Sequence, residues 1–258
     1  MANGLASGMA LRSFGRIGKS WLRVGAVVGA RWRLVRRAGL GAAAALAGAG
    51  AAAAQGTVAG QVTIAERAGD ITEDLGNVVV TLEPVGAPRS RLAPVRGQIA
   101  MERRRFSPGV VVVTPGSTVE FPNRDPFDHN IFTNEPGSEF DAGLYGRGEV
   151  ASATFRKVGA VPVYCNIHSR MVGHVVVVGT PHVAQAGADG RWSIPRVPAG
   201  RYVLRFWHNR AAVADEELAV PAGGLEHASV KLDARGFKLI AHKNKFGQDY
   251  RAGGEKYE

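Results

Sequence analysis

From Thr57 onward the chain breaks into short, often β-branched runs separated by Gly, Pro, Asn and Asp. No long segment beyond that point repeats apolar residues with the 3.6-residue period of an amphipathic helix. Such punctuation permits strands and tight turns and little else. The runs at 57–64, 78–82, 98–101, 110–113, 119–121, 129–133, 153–156, 161–164, 175–178, 191–194, 202–207 and 229–232 are expected strands. The fold class that follows is all-β, built from sandwiches. No internal repeat of fixed period is present. The polar end, 234–258, is rich in Lys and Gly and is expected to be a flexible tail. One cysteine in 258 residues excludes an internal disulfide.

The formal charge of +10 invites a nucleic-acid reading until its placement is considered. Residues 1–54 hold eight basic side chains and no acidic one, leaving 24 basic and 22 acidic for the other 204 residues. The excess is local, which argues against nucleic acid. Arg31, Arg33, Arg36 and Arg37 precede an apolar run from Ala38 to Ala54, and Ala52-Ala53-Ala54 before Gln55 fits a small-residue cleavage site. Residues 1–54 therefore read as a signal peptide cleaved near Ala54, with the periplasm as destination in a Gram-negative source. The Arg36-Arg37 pair is compatible with twin-arginine export as well as the general route. The competing reading is an Ala-rich helix that stays attached. Its glycines, Gly39, Gly41, Gly48 and Gly50, each weaken a helix by about 1 kcal/mol relative to Ala. No stretch has the length and apolar strength of a membrane span.

Chemistry concentrates in Tyr164-Cys165-Asn166-Ile167-His168-Ser169-Arg170-Met171. A Cys, a His and a Met recur at three-residue steps between two valine-rich strands, so one loop can turn all three toward one point. Upstream, Phe121-Pro122-Asn123-Arg124-Asp125-Pro126-Phe127-Asp128-His129-Asn130 sets a second His at the start of a strand. A thiolate, two imidazoles and a thioether form the donor set of a mononuclear blue-copper site. Zinc prefers Cys, His or carboxylate at all four positions. Taken singly, each residue has a plain role: a buried small thiol, a satisfied histidine, a core methionine. Their joint spacing favours one copper ion. His174, His182, His208, His227 and His242 read as structural. No His-x-His pair offers a second copper, and the single thiol excludes a Cys-bridged pair of coppers. No phosphate-cradling loop or nucleophile with a local base is present, so an enzyme is not expected.

Residues 98–178 resemble a cupredoxin domain of the plastocyanin/amicyanin kind. FSPGVVVVTPGSTVEFPNRDPFDHNIFT is similar to the approach to the first-ligand strand, and ATFRKVGAVPVYCNIHSRMVGHVVVV to the ligand-loop hairpin. The Cys-x2-His-x2-Met spacing resembles the short amicyanin loop. The resemblance implies a Greek-key sandwich over 95–180 with His129, Cys165, His168 and Met171 as copper ligands. It further implies that Asn130 ties the His129 strand to the ligand loop and that His168 has an edge near solvent. Ile167 departs from the family, which commonly has Pro before the loop His. Ile167 keeps an N–H that Pro lacks, a difference that bears on loop hydrogen bonding and potential. The whole mature chain, beyond residue 54, resembles the methylamine utilisation protein group. Residues 187–205 are similar to a carboxypeptidase-regulatory, transthyretin-like sandwich, with Asp189-Gly190 and Pro198-Ala199-Gly200 as turns. On one reading, 57–90 and 182–233 form that second sandwich with the copper module inserted between them. On the other, 57–90 extends the cupredoxin sheet.

The function these expectations converge on is a periplasmic one-electron carrier. Met171 tunes the site axially, His168 is the electron port, and Pro126, Phe127 and Val172 rim it. The partner implied by resemblance is a transient redox protein, a c-type cytochrome or a quinoprotein dehydrogenase. One rival is a copper-delivery protein using the same ligands. The other is a non-redox interaction protein with a vestigial site.

Overall fold

The structure, a computed structural model, describes residues 55–250 apart from Arg89 and Ala228. The leader reading, 1–54, and the last eight residues of the expected tail lie outside that range. The described chain is all-β save one turn of 3-10 helix at Leu75–Asn77. It runs through β1 (Gln55–Ala65), β2 (Val79–Pro84), β3 (Arg96–Gln98), β4 (Ala100–Glu102), β5 (Arg105–Ser107) and β6 (Val110–Val113). Then come β7 (Ser117–Pro122), β8 (Ile131–Thr133), β9 (Phe140–Asp141), β10 (Val150–Phe155), β11 (Gly159–Cys165) and β12 (Val172–Val177). The last six are β13 (Val183–Gln185), β14 (Arg191–Pro198), β15 (Gly200–His208), β16 (Ala211–Val220), β17 (Gly224–Glu226) and β18 (Val230–Asp233). Among the described residues no helix is long and apolar enough to cross a membrane.

Two sandwiches result. In the first, sheet β10-β7-β3 faces sheet β6-β12-β11-β8-β9 over a core that includes Phe121, Ile131, Phe155, Val163, Cys165 and Val175. Its β7, STVEFP, alternates buried and half-buried positions, as a strand with one covered face must. In the second, β14-β1-β17, with β18 also on β1, faces β13-β2-β15-β16. Val58, Leu82, Trp192, Ile194, Leu204 and Phe206 fill that core. The chain leaves the second sandwich after β2 and returns at β13, and these two strands pair with each other, Thr81 opposite Val183. Strand β2 also pairs with β15 along its length, not with a strand of the first sandwich.

Local chemistry fixes the registers. Ile194 and Val197 both point inward although three residues apart, because a bulge intervenes. Gly56 opposes Val197 and Val58 opposes Ile194, and Arg196 takes a left-handed φ of 55°. Gly190, at φ 78°, closes the turn before β14, and a Cβ there would collide with the carbonyl oxygen of Val62. The longest strand not anticipated from sequence is β16, AAVADEELAV, whose Ala and Glu favour helix. Tertiary pairing overrides that propensity: Asp215 lies opposite Arg205 on β15 and bonds it at 2.7 Å, and Glu217 reaches Arg201 at 2.7 Å. Arg210, just past β15, bonds both Glu66 and Asp74 and so pins the 66–78 loop to the second sandwich.

A valine cluster of Val79, Val110, Val176 and Val178, with Trp207 against it, joins the two cores. The imidazole of His174 packs on Trp207 there, centroids 5.4 Å apart. Burial, with the nearby charge of His208, pushes His174 down to about 4. The unfolded chain takes up this proton near pH 6.5 and the folded one does not until about 4. The His174 contribution to stability is therefore present above pH 6.5 and lost as pH falls toward 4. Urea midpoints measured from pH 7 to pH 4 are expected to fall, and less steeply in His174→Phe.

Candidate metal centre

The site stands at one end of the first sandwich, where the β8–β11 ladder places its parts. Cys165, the last residue of β11, lies opposite Ile131 of β8. His129 precedes Ile131 by two positions, so strand alternation turns it to the same inner face. A pair of main-chain bonds with Tyr145 holds His129 in place: its N–H donates to the Tyr145 carbonyl at 3.0 Å and its carbonyl accepts from Tyr145 N–H at 2.9 Å. The Tyr145 hydroxyl in turn donates to the Phe121 carbonyl. Asn123 shapes the loop before His129, its side chain donating to the carbonyls of Phe127 and Tyr145 and accepting from Asp125 N–H.

The ligand loop turns back on itself through Met171 N–H to the His168 carbonyl and Cys165 N–H to the Met171 carbonyl. Together these place Cys165 Sγ 3.5 Å from Nδ1 of His129 and 3.5 Å from Nδ1 of His168. The three donor atoms lie within 4.8 Å of one another, and all three residues are buried. Met171 is also buried, on the same loop and in the same core as Cys165. Phe127 packs against both imidazoles, at 5.3 Å from His129 and 5.6 Å from His168. His168 keeps 6% of its surface exposed.

Burial pushes the Cys165 thiol up, against the pull of the main-chain N–H groups of Ile167, Asn130 and His168. Burial likewise lowers His129, against Asp125. At neutral pH burial thus favours the uncharged forms of both groups. A soft sulfur beside two nitrogens at this spacing fits a copper ion, which the thiol would meet as thiolate after giving up its proton.

Asn130 ties the His129 strand to the ligand loop through its main chain, since Asn166 N–H donates to the Asn130 carbonyl at 2.7 Å. Its side-chain amide instead donates to Asp141 at 2.6 Å. Sequence reasoning missed Asp125, whose carboxylate meets Nε2 of His129 at 2.9 Å. It also missed part of the polar C-terminal stretch. Expected to be mobile, the 237–250 portion runs along the ligand loop. His242 N–H donates to the Ser169 carbonyl, and the His242 ring lies 4.6 Å from that of Tyr164. Lys245 N–H donates to the Asn166 side chain, Lys245 Nζ pairs with Asp141, and the Tyr250 hydroxyl donates to the Cys165 carbonyl. Aromatic packing and main-chain acceptors hold this segment, features that polar composition does not advertise.

Residues 95–178, about a third of the chain, match the family described as copper binding proteins, plastocyanin/azurin family. All three clustered donors fall inside the match. No curated protein matches the chain. Among solved structures, a purple cupredoxin from Nitrosopumilus maritimus is 24% identical over 32% of this chain and 99% of its own, with a TM-score of 0.29. An amicyanin from Paracoccus versutus is 21% identical over 38% of this chain and 97% of its own, with a TM-score of 0.30. The first sandwich is a cupredoxin domain, and family and donor set agree on one copper ion.

Ending the chain at Gly236 removes the donors on Ser169, Asn166 and the Cys165 carbonyl. Each lost bond is worth about 1 kcal/mol, so amide exchange at Asn166 and Met171 is expected to quicken about fivefold or more by hydrogen-exchange NMR. Exchange in the second sandwich is expected to stay as it was.

Proposed function

We propose that this protein carries single electrons through a type 1 copper centre in its cupredoxin domain. Cys165, His129 and His168 would hold the ion, with the Met171 thioether as a further, weaker donor. The observation that carries this reading is the buried trio of one sulfur and two Nδ1 atoms within 4.8 Å, on elements held by main-chain bonds. Copper supplies a Cu(I)/Cu(II) couple in a donor set that suits both states. The chain's part is to hold its donors still, so that little rearranges when the charge changes. The β8–β11 ladder does this for His129 and Cys165, and the loop bonds at Met171 do it for His168. Phe127 covers both imidazoles and keeps water from them.

The reading extends to an exported, periplasmic protein whose leader is 1–54. Its partner is a transient redox protein, such as a c-type cytochrome or a quinoprotein dehydrogenase. The second sandwich is read as a carboxypeptidase-regulatory-like module of a methylamine utilisation type protein.

One equivalent of Cu(II) is expected to give an intense visible thiolate-to-copper band, absent in Cys165→Ala, and voltammetry a reversible one-electron wave. A weakly coloured copper complex would sink the carrier. Rapid loss of copper to a chelator, without a reversible wave, would transfer the case to delivery.

The Ile167 N–H aimed at Cys165 makes a further expectation. A donor on the thiolate drains charge that the sulfur would otherwise give to Cu(II). Ile167→Pro removes it and is expected to lower the midpoint potential, on the order of 40 mV if the bond is worth about 1 kcal/mol.

A further inference from the structure

Asp125 is a buried carboxylate with one unusual neighbour and an unusual seat. Its Oδ2 meets Nε2 of His129 at 2.9 Å, on the side of the ring away from Cys165. Only 4% of Asp125 reaches solvent. Its carboxylate also accepts from main-chain N–H groups: Arg103 on Oδ1 at 2.6 Å and Arg104 on Oδ2 at 3.0 Å.

Those two residues form the turn between β4 and β5, and both are left-handed, with φ of 55° and 57°. A two-residue hairpin turn of this kind favours Asn-Gly. Two arginines there hold a conformation that non-glycine residues adopt only at a cost. The conformation aims both amides at one carboxylate. The turn thus makes a small anion-binding nest, and the nest fixes Asp125 as an anion. Above it, the Arg104 guanidinium lies over Phe127, which covers both imidazoles.

We propose that Asp125 is a positioning residue that fixes the His129 tautomer and sets the preference of the site for the more highly charged copper. An anionic acceptor on Nε2 keeps the ring proton there and leaves the Nδ1 lone pair facing Cys165. It also makes the imidazole a stronger donor and adds a fixed negative charge close to the metal. Both effects favour Cu(II) over Cu(I). The second half rests on the copper reading above; the tautomer does not.

The test uses the full chain in two states. In the metal-free protein, nitrogen-15 NMR of the His129 ring is expected to show a single Nε2–H tautomer, and Asp125→Asn to show a mixture. In the copper-loaded protein, Asp125→Asn is expected to lose at least tenfold of the Cu(II)-over-Cu(I) preference, a rise of about 59 mV or more for one electron. Replacing Arg103-Arg104 with Asn-Gly keeps both N–H donors, so the tautomer is expected to hold. An Nδ1–H tautomer in the unmodified metal-free protein would overturn the proposal even if Asp125→Asn failed to fold. So would an unchanged tautomer and potential in a folded Asp125→Asn. A tautomer that shifts in a protein that never forms the coloured centre would sink the electron-carrier reading and leave the tautomer role standing.

Discussion

The metal centre depends on the β8–β11 ladder. Ile131 opposite Cys165 is a register choice, and moving it by one residue would turn His129 to the opposite face of the sheet. The alternation of β11 opposes that slip, because Val161, Val163 and Cys165 are buried while Ala160, Pro162 and Tyr164 between them are only half-buried. Core packing therefore selects the register, and the register brings a histidine to a cysteine 36 residues away. The ligand loop then needs only a tight turn to supply the third donor.

The same burial that fixes geometry also sets the proton inventory. Desolvation favours a neutral thiol and a neutral ring, so the pocket does not store an unpaired charge in a low-dielectric core. Charge is tolerated where it is satisfied. Burial alone would raise the Asp125 carboxyl, yet N–H donors of Arg104 and Arg103 and the His129 ring hold it below its usual range. The second sandwich follows the same rule, with Asp74 and Glu66 both on Arg210. Each of these three carboxylates is met by geometrically matched donors.

Period-two runs of Val, Ile and Phe made most strands readable, and the Cys-x2-His-x2-Met spacing made the chemistry readable, because both are local patterns. What escaped was non-local or locally misleading. Strand β16 has the composition of a helix and becomes a strand because β15 offers Arg201 and Arg205 to its acids. Strand β13 is three residues long and exists as a partner for β2. Asp125 is a loop aspartate by sequence, and only the hairpin turn 21 and 22 residues earlier in the chain gives it a role. Residues 237–250 read as a polar tail because their partners, the main-chain carbonyls of the ligand loop, the Tyr164 ring, Asn166 and Asp141, all lie far away in sequence.

The closing of β2 onto β13 has a mechanical consequence. Both ends of the cupredoxin domain emerge at a paired point, Thr81 beside Val183, within the other sandwich. Tension drawn between the start of β1 and the end of β18 is borne by their direct parallel pairing, from Val62 on Val230 to Ala65 on Asp233. The load is carried in shear across that ladder and bypasses the inserted domain. Force between those two strands is thus kept from the copper pocket, whereas a pull on residues 237–250 acts directly on the ligand loop.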